Sequence, residues 1–382
     1  MKRGSRKIAC VTGNRAEYGL LRPVLHEINK SKSLDLRLIV TGTHTQKKYG
    51  RTADLIKKDG FVASETVPVP EDATMLEALS KEIAGIEAYC TRARPDIMLV
   101  WGDRDESFAG AIVAGHLRIP LAHVGGGDTS GYVVDEAIRH SISKFANVHF
   151  PISQQSAHRI ARLGEEKKRI HMTGTTALDE IKKTALKGRA ALAEELGLDA
   201  TKPWILFVQH PTPLDVVSIS GQITPSLEAL KQLEGEKIII YPNSDTGADT
   251  FIKAITRYAR EKDFHVYQSL SRETYLAVLK HCAAVLGNSS SGIVEAGFFK
   301  TPAVDIGNRQ KGREHGKNVI HAGYEKGEIA AALRRALSAP FKRSLATMKN
   351  PYGSGSSAKK IVRVLEQLRI DESLMYKQIS LR

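Results

Sequence analysis

Short β-branched runs alternate with amphipathic helical stretches along almost the whole chain, and this alternation narrows the possible folds more than any other feature. A strand, a helix and a second strand in regular succession build a parallel sheet with helices on its faces. The candidate strands of the first half are Lys7–Thr12, Leu36–Thr41, Asp96–Trp101, Pro120–Val124, Val148–Ile152 and Ile170–Thr173. Between them, apolar residues recur at helical spacing, as in Leu20, Leu21, Val24, Leu25 and Ile28, and again in Leu76, Leu79, Ile83 and Ile86. The pattern pauses over 174–202, where a helix (Leu178–Ala185) and a Lys/Ala/Glu-rich stretch end at Thr201-Lys202-Pro203. It restarts with Trp204–Gln209, Ile238–Tyr241, Phe264–Tyr267, Ala283–Leu286 and Ala303–Ile306. Two similar α/β halves joined near residue 175 are therefore expected, without a sequence repeat between them. A last amphipathic helix carries Ile361, Val362, Val364 and Leu365.

Composition excludes several classes. Of 382 residues, 42% are hydrophobic and 26% charged, the balance of a folded globular protein and not of a disordered or fibrous one. No stretch approaches the roughly 18 uninterrupted apolar residues of a membrane helix. Lys2, Arg3, Arg6 and Lys7 lead straight into a β-like run with no apolar region behind them, so a secretory signal is not expected. Cys10, Cys90 and Cys282 are scattered and form no CxxC pair, which argues against a disulfide framework or a zinc knuckle. A cytoplasmic protein is expected. The net charge of +14, from 56 Lys+Arg against 42 Asp+Glu, favours anionic partners. There is no aromatic RNA-binding motif, zinc-finger spacing or continuous basic helix. Basic residues are interleaved with acids, as over 253–262, so a small anionic substrate is preferred over nucleic acid or a membrane.

Ligands of open parallel sheets bind beyond the carboxyl ends of the strands, and two such sheets facing one another make a deep cleft. The polar residues that follow the strands are thus the candidates. After the first strand, Gly13-Asn14-Arg15 opens a helix whose N–H groups suit an anion, although an ordinary strand-to-helix turn explains it too. After Trp101 come Asp103, Arg104, Asp105 and Glu106; helix capping accounts for the last two acids and leaves Asp103. Three glycines, Gly125 to Gly127, precede Asp128, Asp135, Glu136, Arg139 and His140. Glycines after a strand let a ligand approach the backbone, while Asp135–Arg139 also fits a surface i,i+4 ion pair. His210 ends a strand of the second half. Ser289, Ser290, Ser291 and Gly292 open a helix that suits phosphate oxygens, with Glu295 one turn in to accept ribose hydroxyls.

Taken together, GNRAEYGLL, TGTH, GDR, GGGDxxxxxxDEAIRHxxxKxA, QHP, YPN, GNSSSGxxE, GNRQKGRE and NPYGSG resemble, in order and spacing, the UDP-N-acetylglucosamine 2-epimerases. The nearer likeness is to the hydrolysing type that makes N-acetylmannosamine for sialic acids and to its legionaminic-acid relatives, and it runs from about Lys7 to Leu368. The resemblance implies a GT-B-like α/β fold. Its Rossmann-like domains would span 1–174 and 175–355, with parallel sheets facing a deep interdomain cleft, and 356–382 would return to the first domain. It also implies nucleotide contacts at Arg15, Arg104, Asn243, Ser289, Ser290, Glu295 and Arg309. Asp103, Asp135 and His210 fall on catalytic positions and His44 on a further active-site histidine, with Arg139 and Glu136 beside the reacting sugar. The family glutamate of HxEGG is replaced here by Gly125, and the histidine before the GD pair by Trp101. Asp128 is the nearest acid to take over. The implied reaction is departure of UDP, formation of a 2-acetamidoglycal and its rehydration with inverted carbon 2. It requires no cofactor or metal. Alternatives are a non-hydrolysing epimerase, a GT-B glycosyltransferase or a non-catalytic nucleotide-sugar sensor. A homo-oligomer, dimer or tetramer, is expected.

Overall fold

In the computed structural model, which describes residues 4–47, 52–129, 133–213, 215–243 and 246–380, the alternating pattern resolves into two parallel sheets. Lys2, Arg3 and residues 130–132 of the glycine-rich stretch lie outside the described residues. The first unit comprises Met1–Glu180 with Tyr352–Arg382, the second Ile181–Pro351. Strands β1 (Arg6–Thr12), β2 (Leu34–Val40), β3 (Glu65–Thr66), β4 (Ile97–Trp101), β5 (Leu121–Val124) and β6 (Val148–Phe150) make the first sheet, in the order β3-β2-β1-β4-β5-β6. The second contains β7 (Trp204–Val208), β8 (Glu236–Ile240), β9 (Phe264–Tyr267), β10 (Ala284–Gly287), β11 (Ala303–Ile306) and β12 (Val319–Ala322), in the order β9-β8-β7-β10-β11-β12. Every pairing is parallel, with Cys10 opposite Leu99 and Val208 opposite Gly287 where the order reverses. The two units thus share one doubly wound topology, and in each the crevice beside the reversal is the ligand position of such sheets.

Both β4 and β7 are buried at every residue, which is why they read as unbroken apolar runs rather than alternating ones. On one face of the first sheet, the helix Arg15–Lys30 packs Leu21, Val24, Leu25 and Ile28 with Ile361, Val362 and Leu365 of the helix Ser357–Gln367. Asp179 caps that last helix from a distance, accepting the N–H groups of Ser357 at 2.8 Å and Ala358 at 2.7 Å. The Thr175 N–H also donates to the Tyr352 carbonyl at 2.9 Å. These bonds hold 175–179 and the start of the returning segment to each other. The chain changes unit at 180/181 and 351/352.

Ile170–Thr173 is not a strand. It makes a single bridge, His149 to Ile170, after a short 3-10 turn at Lys167–Arg169. The two-residue β3 and the β12 strand, whose polar His321 interrupts the apolar signal, were not legible as strands. Among the described residues, no helix is long and apolar enough to cross a membrane.

Candidate functional site

In the first unit, the exits of β4 and β5 and the helix Val133–Phe145 converge on one guanidinium. Arg139 is 3% exposed. Its Nη2 donates to Asp103 Oδ2, and its Nη1 donates to Glu136 Oε2 at 2.8 Å and to the Asp128 carbonyl at 2.9 Å. The structure therefore gathers Asp103, Asp128, Glu136 and Arg139 around a single point, and Arg139 is not the arginine of a solvated surface pair. His140 Nε2 lies 3.3 Å from the other Glu136 oxygen. The exit turn of β4 is itself fixed by His123, whose Nε2–H donates to the Gly102 carbonyl at 2.7 Å. Burial pushes the His123 pKa down to about 3, so this ring is a neutral strut. Asp135 stands close enough to Asp105 to add to the rise that burial causes in that carboxyl, against the pull of Arg104.

Gly125 has φ +82°, while a Cβ built there would come no nearer than 3.7 Å to any neighbour. Conformation, not space, is what reserves the position for glycine. Asp128, in the same loop, is buried.

At the exit of β1, Arg15 is exposed at the start of its helix, which Asn14 caps by accepting the Glu17 N–H at 3.0 Å. Arg104 is likewise exposed, at the start of the helix Asp105–His116. Behind this edge lie three carboxylates that the sequence reading left out of the site. Glu17 Oε2 accepts from the Thr12 hydroxyl at 2.7 Å and the Gly13 N–H at 3.3 Å, and Glu106 Oε1 accepts from Asn14 Nδ2 at 2.7 Å. Glu82 Oε1 accepts from the Thr41 hydroxyl at 3.3 Å. Burial first, and the charge of Glu106 in addition, push Glu17 and Glu82 each up to about 8. The spacing Asn14-x-x-Glu17 is a capping signature that would have flagged Glu17. His44 sits fully buried behind Thr12, its Nε2 3.2 Å from the Thr12 hydroxyl and its Nδ1 2.7 Å from that of Thr52. Burial lowers its pKa to about 4.

In the second unit, His210 follows β7 and its Nδ1 accepts the Asn243 N–H at 3.0 Å. The helix Ser290–Phe299 starts beyond β10, and its three serines have three different roles. Ser289 caps it, Ser290 is exposed at its first turn, and Ser291 is buried against the Tyr275 hydroxyl. Gly292 is buried in the same turn, and Glu295 is paired with Arg272. Arg309 follows β11 and reaches the Asn288 carbonyl at 3.3 Å, as does Gln310 at 2.9 Å. Asn288, Gln310, Arg272 and Tyr275 were not singled out from the sequence, although Asn288 stands in GNSSSGxxE and Gln310 in GNRQKGRE. Among the described residues no group of three or more His, Cys, Asp or Glu side chains could hold a metal ion.

Residues 26–366 match the family model described as UDP-N-acetylglucosamine 2-epimerase. The chain is 35% identical over 376 residues to the UDP-N,N'-diacetylbacillosamine 2-epimerase (hydrolyzing) of Legionella pneumophila, covering 97% of this chain and 98% of that one. It is also 35% identical over 338 residues to a UDP-N-acetylglucosamine 2-epimerase of Neisseria meningitidis, covering 87% and 88%. Among solved structures, the UDP-GlcNAc 2-epimerase of Neisseria meningitidis bound to UDP-GlcNAc superposes with a TM-score of 0.79 over 95% of this chain and 100% of that one, at 18% identity. The GT-B-like α/β fold expected from the motifs is the fold found.

Proposed function

The chain belongs to the UDP-N-acetylglucosamine 2-epimerase family, and from that premise we propose that it is a hydrolysing member. It takes a UDP-N-acetylhexosamine and releases UDP and the free sugar inverted at carbon 2. The observation that carries this reading is the convergence of the Asp103 and Glu136 carboxylates and the Asp128 carbonyl on Arg139, which gives two carboxylates of one site a shared cation and sets Asp128 beside them. The chemistry needs such a set. Hydrogen on carbon 2 of the sugar is barely acidic, so the bond from carbon 1 to the phosphate oxygen breaks ahead of proton removal. Its electron pair leaves with UDP. Charge gathers on the β-phosphate, where cations and helix N-termini stabilise it. Arg15, Arg104, Arg309 and the start of the helix Ser290–Phe299 are the groups we assign to this task. Ser289 to Gly292, Asn243 and Glu295 are assigned to the nucleotide.

A carboxylate then takes the carbon-2 proton, which contributes about 100- to 10,000-fold in rate. Asp128 is the base we assign, with Asp103, Asp135, Glu136 and His210 completing the acid–base set. Water adds to carbon 1 of the glycal, and a proton delivered to the opposite face of carbon 2 inverts it. His44, neutral and buried behind Thr12, supports the β1 exit that carries Arg15. We place the enzyme in the cytoplasm as a homo-oligomer, whose size light scattering would measure.

The reading is tested by incubating the protein in D2O with UDP-N-acetylglucosamine and, separately, with its 4-acetamido-4,6-dideoxy analogue, followed by NMR. UDP and a free sugar inverted and deuterated at carbon 2 are expected from at least one. A UDP-linked epimer as the sole product would make the enzyme non-hydrolysing. Release of sugar without inversion or deuterium would rule out the glycal.

A further inference from the structure

The exits of three strands in the second unit are tied together by one residue outside the assigned set, through its side chain and its main chain. Asn288 follows β10 directly and is 0% exposed. Its Oδ1 accepts the His210 N–H at 2.7 Å, and its Nδ2 donates to the His210 carbonyl at 2.8 Å. The amide therefore clasps both main-chain polar groups of a single residue. Its own N–H donates to the Val208 carbonyl at 3.2 Å, and its carbonyl takes the Gln310 and Arg309 bonds described above. Gln310 in turn accepts from Arg313 Nη1 at 3.0 Å. The approach of β10 to β7 here is close: Gly287 has φ +132°, and a Cβ on it would lie 2.0 Å from the Val208 carbonyl.

We infer that Asn288 is a positioning residue for His210, and this rests on the reading that His210 acts in turnover. Fixing the N–H and carbonyl of His210 leaves its side chain only its own torsions. The Asn243 N–H then holds Nδ1, so that the proton of the neutral ring sits on Nε2. A planar side chain with one donor and one acceptor is required for the clasp. Asparagine provides both. Aspartate keeps the bond from the His210 N–H but sets an oxygen against the carbonyl, and serine is too short to span the two groups. Small displacements of an acid–base group are costly, of order 100-fold for about 1 Å.

The test is a double-substitution cycle on the full chain. Asn288→Ser and Asn288→Asp are each expected to lower kcat about 10- to 100-fold while UDP affinity stays within about threefold. In a His210→Asn background the same substitutions should lower kcat no further. Imidazole nitrogen NMR should show the Nε2-protonated tautomer in the unsubstituted protein and a mixture in either Asn288 variant. If the serine variant fails to fold, the nearly isosteric aspartate variant carries the same expectations. Equal losses in both backgrounds, or wild-type kcat in a folded Asn288 variant when His210→Asn is impaired, would overturn the positioning role alone. Wild-type turnover in His210→Asn would remove the reading of His210, and the inference with it.

Discussion

Glu82, on the helix Met75–Ala93, is held protonated by its burial, and replacing it with glutamine isolates the consequence. Its carboxyl moves from an ordinary 4.5 to about 8. Between those two values the folded chain keeps a proton that the unfolded chain has lost. Stability therefore falls as pH rises through this window, and flattens above it. At about 1.4 kcal/mol per pH unit, the full effect is about 5 kcal/mol. Entry of water when the carboxylate ionises reduces this, so at pH 9 Glu82→Gln should be more stable than the unsubstituted chain by about 2–5 kcal/mol. At pH 4.5 the two should agree within about 1 kcal/mol, since the Glu82 Oε2 position has no hydrogen-bond partner among the described residues and an amide loses nothing there. The chain has two tryptophans, Trp101 in the first unit and Trp204 in the second. Urea unfolding followed by Trp101 fluorescence in a Trp204→Phe background reads the first unit alone. A stability difference between the two proteins that does not change from pH 4.5 to pH 9 would refute the reasoning.

Asp128→Asn should keep UDP affinity and lose sugar release and carbon-2 exchange by about 100-fold or more, as isotope incorporation would show; full activity would reject Asp128 as the base. Gly125→Glu added to that variant should not restore turnover, because φ +82° strains any side chain by about 1–3 kcal/mol, and a rescued rate would contradict this. Arg139→Met should lower the stability of the first unit by about 2–4 kcal/mol, toward the lower end for a broken buried pair because Asp103 and Glu136 still reach water; a change under 1 kcal/mol in a denaturant melt would count against the hub. Arg15→Ala and Arg309→Ala should each weaken UDP binding about tenfold or more by calorimetry, the value of a hydrogen bond to a charged group.

The parallel sheets were legible because the strands and helices that build them are written locally. Runs such as Ile97–Trp101 and Trp204–Val208, bounded by turns and separated by helical periodicity, leave little choice but a parallel sheet. The residues at strand exits were legible for the same reason, since the topology alone sends Asp103, Asp128, His210 and Ser289 to one end of their sheets. What each exit residue does was decided by tertiary structure. Sequence spacing paired Arg139 with Asp135 on a helix face; packing turned it inward to Asp103, Glu136 and the Asp128 carbonyl, contacts drawn from three separate segments. The three glycines from Gly125 to Gly127 suggested a backbone requirement without saying whether space or conformation imposed it, and only the φ of +82° at Gly125 distinguishes them. Glu17, Glu82 and Glu106 looked like ordinary helix acids, because a carboxylate's burial depends on what the rest of the chain folds over it. Asn288 and His210 lie 78 residues apart, and their clasp exists only because β7 and β10 become neighbours where the strand order reverses.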